Sequence, residues 1–206
     1  MRSLIPGILA MAAIVVASNI LVQHPLGAYL TWGALTYPLA FLVTDLTNRL
    51  QGAAAARRVV LAGFATGIAC SLIGTQIVGD FGPLVTLRIA IGSGLAFLTA
   101  QLLDVAVFNR LRAGSWWKAP LFSTLVSSTL DTAIFFSIAF SATLAFIEPG
   151  NDVFWATTPG PLLGLGPEVP FWASLAVADW CVKLVLAIAA LVPFRLIVGR
   201  LVTRVA

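Results

Sequence analysis

The chain has 206 residues, of which 60% are apolar and only 10% charged, and its mean hydropathy is +1.01. Soluble domains carry about 25% charged residues, so this composition excludes a water-soluble globular protein and points to an integral membrane protein. The net charge of +4 does not signal nucleic acid, because the basic residues gather in short loops between apolar runs, where they set topology.

A helix needs about 20 apolar residues to cross a bilayer. Six segments meet this, at roughly 4–22, 27–47, 59–79, 86–108, 120–147 and 171–198. The expectation is an all-α membrane protein: one domain over residues 1–206, with six transmembrane helices. The first run, Leu4 to Val22, is longer than the 7–15 apolar residues of a signal peptide, so it reads as an uncleaved span. HPLG at 24–27 and GDFGP at 79–83 are tight breaks, and His24 falls in the first of them as a loop residue. Residues 148–167 hold four prolines and four glycines, which makes them a loop rather than a seventh helix. Gly63, Gly67, Gly92 and Gly94 are small residues that let helices approach closely. Cys70 and Cys181 lie in apolar runs without metal-ligand spacing and read as packing residues.

With six crossings, ten basic residues fall on one side: Arg2, Arg49, Arg57, Arg58, Arg110, Arg112, Lys118, Arg195, Arg200 and Arg204. The other side has Arg88 and the acids Asp80, Glu148, Asp152 and Glu168. The bias places both termini in the cytoplasm.

Four acids remain inside spans: Asp45, Asp104, Asp131 and Asp179. A charge at mid-bilayer costs about 2.5–3.5 kcal/mol on insertion scales, so such residues face a bundle interior, pair, or line a pathway. Asp131 lies about 16 Å into its helix from Pro120, at 1.5 Å per residue. Its helix neighbours Ser127, Ser128 and Phe135 suit a flat polar ligand. Otherwise Asp131 partners Lys183 across the bundle. Asp179 and Lys183 stand at i, i+4 and can pair directly, as a neutral structural pair or as coupling groups. Asp45 and Asp104 sit near the cytoplasmic helix ends, Asp45 four residues before Arg49. Thr44, Asp45, Thr47, Asn48 and Arg49 carry more hydrogen-bonding capacity than an exit from lipid needs. Asn19, Gln23 and Gln76 add uncharged groups toward the outer face. The chain has no phosphate-binding loop, zinc-protease or serine-nucleophile motif, and TLDTA and VADWC around Asp131 and Asp179 do not read as an aspartyl protease. No enzyme, cofactor or metal is expected.

Three stretches, FLVTDLTNRL at 41–50, SGLAFLTAQLLDVAVFNRLR at 93–112 and SSTLDTAIFFSIAF at 127–140, resemble the signatures of the queuosine precursor transporter family, also described as vitamin-uptake-transporter-like. The short chain reads as a compact variant. The first stretch maps Asp45, Asn48 and Arg49, the second Gln101 and Asp104, the third Ser127, Asp131, Thr132 and Phe135. The resemblance implies uptake across the inner (plasma) membrane of a 7-deazaguanine, such as the 7-cyano or 7-aminomethyl base, for tRNA modification. The ligand contacts it suggests are Asp131, Gln101, Asp104, Asn48, Asp45 and Ser127, with Trp32 or Phe135 stacking. A carboxylate can accept both N–H groups of a guanine-like edge, and aromatic rings stack on its face. The alternative is a substrate-binding membrane subunit for a vitamin-like solute that needs a separate energising module. A third is a structural protein whose buried charges are only paired. The expected partners are a small-molecule base and the lipid bilayer, not nucleic acid, with homo-oligomerisation left open.

Overall fold

A computed structural model describes residues 3–79 and 82–203. Arg2, Asp80 and Arg204, which entered the charge count, lie outside the described residues.

Six long helices carry the fold: α1 (Ile5–Leu21), α2 (Leu39–Gln51), α3 (Ala53–Gly74), α4 (Leu87–Leu111), α5 (Lys118–Phe140) and α6 (Phe171–Thr203). Four of them, α3 to α6, are long and apolar enough to cross a membrane, and α1 is a shorter apolar helix. Local sequence explains their ends. Pro6 sits in the first turn of α1, where a missing N–H is harmless. The Thr86 hydroxyl accepts the Ile89 N–H and caps α4. Gly52 alone separates α2 from α3, at φ +88°, a conformation a side chain would strain.

The helix expected across 27–47 is broken. Pro25–Leu26 and Leu30–Thr31 pair as a small hairpin, Gly33–Thr36 forms a single turn, and the long helix starts only at Leu39. Gly27, Gly33 and Pro38 fall inside that window. Gly27 turns the hairpin at φ +69°, and Pro38 has no N–H for the preceding turn. The run expected over 120–147 is interrupted at Ser141, where the backbone is extended, before a 3₁₀ segment at Ala142–Ile147. The expected loop at 148–167 contains one helical turn, Phe154–Thr157, and a hairpin pairing Pro159–Pro161 with Glu168–Pro170.

Helix α2 touches each of the other five long helices, and the largest contact in the molecule joins α4 to α5. One apolar core gathers Met11, Ala56, Val59, Val60 and Phe97 from α1, α3 and α4. At Gly63 an added Cβ would come within 2.6 Å of Met11 and 2.9 Å of Phe97, so only glycine lets α3 pack this closely. Outward faces are aliphatic, with Leu9, Leu72, Ile188 and Val192 exposed. An inward polar face and an outward apolar one is the arrangement that lipid demands.

Candidate functional site

Two polar clusters fill the bundle interior. The first is built on α5 and α6. The Lys183 ammonium lies 2.7 Å from Asp131 Oδ2, 2.5 Å from Asp179 Oδ2 and 2.9 Å from the Thr132 hydroxyl. Thr132 donates to Asp179 at 3.0 Å. The Tyr37 hydroxyl donates to Asp131 Oδ1 at 3.1 Å, and its ring centre is 5.6 Å from Lys183 Nζ. Lys183 has three donors, and all three are engaged. The i, i+4 pairing of Asp179 with Lys183 forms, and so does the bridge from Lys183 to Asp131 across the bundle.

The second cluster joins α2, α4 and α5. Thr44 donates to Gln101 Oε1 at 2.6 Å, and Asn48 Nδ2 donates to the Val105 carbonyl at 3.1 Å. Asp45 lies 3.3 Å from the Ser123 hydroxyl and 3.5 Å from that of Thr124. Asp104 Oδ1 lies 3.1 Å from the Ser127 hydroxyl, one helical turn from the Ser123 that meets Asp45, so the two carboxyls are neighbours. Gln101, Asn48 and Asp104 are fully buried, Asp45 nearly so. No basic side chain pairs with either carboxyl among the described residues. Arg49, four residues after Asp45, instead donates to the Arg112 carbonyl at 2.7 Å and ties α2 to the end of α4.

Four buried side-chain atoms among the described residues have no hydrogen-bond partner. One is Arg88 Nη1 near the α5 end. The other three, Asn48 Oδ1, Gln101 Nε2 and Asp104 Oδ2, belong to the second cluster. A native interior rarely leaves such groups unmet, and their gathering sets the second cluster apart from the first.

The structure therefore brings Asp45, Asn48, Gln101, Asp104 and Ser127 together, and holds Asp131 one turn further along α5 with Asp179 and Lys183. Phe135 packs instead among Phe136 and Phe140, at centroid distances of 5.1 and 6.2 Å. Trp32 stands apart, 48% exposed at the head of the Gly33–Thr36 turn. Sequence reasoning missed Tyr37, Ser123 and Thr124. Ser123 and Thr124 could have been found, since with Ser127, Ser128 and Asp131 they form a polar stripe at helical spacing. Tyr37 gave no such signal, being one residue before the proline that starts α2.

Two hollows flank the clusters. A crevice between α2, α5 and α6 reaches Asp45 and Thr124 past Pro38, Phe41 and Phe194, with room for about one water. A second, lined by Asn19, Tyr37, Phe64, Ser71, Ser93 and Phe97, holds a few waters at most. Neither takes a flat bicyclic base.

The model of the putative vitamin uptake transporter family matches residues 31–198. The chain belongs to this family. It is 36% identical to the queuosine precursor transporter of Escherichia coli (strain K12), over 94% of this chain and 85% of that protein. It is likewise 36% identical to a probable queuosine precursor transporter of Haemophilus influenzae, over 87% of this chain and 79% of the relative. A probable queuosine precursor transporter of Bacillus subtilis (strain 168) is 33% identical over 134 residues, 55% of this chain and 58% of the relative. No solved structure matches. Family and apolar helices together make this a multi-pass membrane protein with a small-molecule substrate.

Proposed function

We propose that the chain imports a queuosine precursor, a 7-deazaguanine base, across the inner membrane, and that Asn48, Gln101 and Asp104 read the edge of that base. The carrying observation is the set of three unpartnered buried atoms: two acceptors, Asn48 Oδ1 and Asp104 Oδ2, and one donor, Gln101 Nε2. A guanine-like edge offers the reciprocal set, with ring N–H and exocyclic amine as donors and a carbonyl as acceptor. All three residues lie in the first two signature stretches. Asp131 is committed to Lys183 and Tyr37, and serves the geometry of the neighbouring cluster.

Six passes with both termini cytoplasmic fit the helix ends. The Arg49–Arg112 contact sets the ends of α2 and α4 side by side, and Arg195 of α6 stacks 4.9 Å over Trp116 between α4 and α5. Basic residues thus gather at one end of the bundle. Glu148 bonds the Arg88 amide at the other. In this reading the hairpin, the Gly33–Thr36 turn and α2 jointly make the second pass.

The test is growth of a strain unable to make the precursor, supplied with the 7-cyano or 7-aminomethyl base and carrying this chain. Queuosine should appear in tRNA with the chain and be lost with Asp104→Asn. No queuosine with the wild-type chain ends the proposal. Uptake into liposomes holding this chain alone separates a self-sufficient transporter from a binding subunit.

A further inference from the structure

The buried pair of Asp45 and Asp104 lacks a counter-charge, and a donor count shows what it needs. A hydroxyl carries one hydrogen. That of Ser127 is drawn to the Ser123 carbonyl, 2.5 Å away, closer than the 3.1 Å to Asp104 Oδ1. Ser123 Oγ is as near the Pro120 carbonyl as Asp45, 3.3 Å in each case, and Thr124 reaches Asp45 only at 3.5 Å. Asp104 Oδ2 has no partner and no solvent. The pair is thus rich in acceptors and short of hydrogens.

No other group facing the pair makes up the deficit. Helix α1 carries no titratable residue. Arg57 and Arg58 at the head of α3 are exposed. Arg49 on α2 is turned to the Arg112 carbonyl. On α5, Lys118 lies against Trp117, and Asp131 is bound by Lys183 of α6. The α6 residues over Asp45 are Leu186, Ala187, Ala190, Leu191 and Phe194, all apolar.

We propose that Asp45 and Asp104 form a proton-binding site, holding one proton between them in the closed bundle and giving it up when the base arrives. Two bare carboxylates side by side in a dry interior repel; one proton lets a carboxylic acid donate to a carboxylate and latch α2 to α4. Resting on the base reading above, the base N–H groups then take the proton's place on Asp104. The displaced proton leaves to water through the crevice that opens on Asp45.

Infrared spectroscopy of the purified, ligand-free chain tests this. The wild type should show a carboxylic-acid carbonyl band that shifts in D2O, and the Asp45→Asn/Asp104→Asn double variant should lose it. If that variant does not fold, Asp131→Asn and Asp179→Asn should each keep the band, which assigns it by elimination. A wild type without the band overturns the proposal, as does a folded double variant that keeps it; stabilisation by sodium with no band assigns the site to sodium instead. Adding 7-cyano-7-deazaguanine in weak buffer with a pH dye should release about one proton per base bound. Binding without release overturns the displacement step. Absence of binding counts against the base reading alone, while the infrared band still decides the proton site.

Discussion

Asp131 and Asp104 are both buried carboxylates facing α5 or lying on it, yet the two are treated in opposite ways. Around Asp131 one ammonium serves two carboxylates, a tyrosine and a threonine complete the network, and none of its buried side-chain atoms lacks a partner. Around Asp104 there is a second carboxylate, three hydroxyls of which two are drawn to backbone carbonyls, and no cation among the described residues. A satisfied network fixes helices in place, whereas an unsatisfied one is costly until something arrives. Under the proposed function this contrast is one of bracing by the Lys183 cluster and ligand binding by the Asp104 cluster, only one helical turn apart on α5.

The comparison can be broken most forcefully at Lys183. Lys183→Met should destabilise the protein by about 3–5 kcal/mol, because it strands two buried carboxylates. Thermal unfolding in detergent measures this, and adding Asp131→Asn should recover part of the loss. An unshifted midpoint would remove bracing as the role of this cluster. Asp104→Asn should do the reverse, cutting base uptake about 10- to 100-fold, as expected for a lost hydrogen bond to a charged group worth about 1.5–3 kcal/mol, with little thermal shift. Gln101→Leu should weaken uptake about tenfold, since the base carbonyl would lose a donor; initial rates over a range of base concentrations should show it mainly in KM. Tyr37→Phe is the mildest change. It removes one hydrogen bond to Asp131, about 1 kcal/mol, and should lower the unfolding midpoint while leaving uptake within a few-fold. A larger effect on uptake than on stability would move Asp131 into the ligand site.

Much of this was legible in the sequence, and the illegible part has a physical pattern. Helical runs and buried acids follow from hydropathy alone. Asp179 and Lys183 are four apart on one helix, so their contact follows from helical geometry. Asp45 and Arg49 have the same spacing and do not pair, because the end of α4 offers Arg49 a carbonyl at 2.7 Å. Which acid lacks a partner depends on which helices face each other, and one sequence does not carry that information. The break between Gly27 and Pro38 was concealed for a related reason: its residues are apolar enough to fit a hydropathy window, while their backbone chemistry forbids a continuous helix.

Helix α2 has one more consequence, for how the protein is made. Its 13 residues rise about 20 Å, short of the roughly 30 Å hydrocarbon layer, and they carry Thr44, Asp45, Thr47 and Asn48, all buried in the finished bundle. Such a segment has no stable place in lipid by itself. It must be handed over during biosynthesis to neighbours already in the bilayer. Tethered to α3 by Gly52 alone, α2 has that neighbour at hand, and its polar face is sheltered from lipid only once the bundle surrounds it.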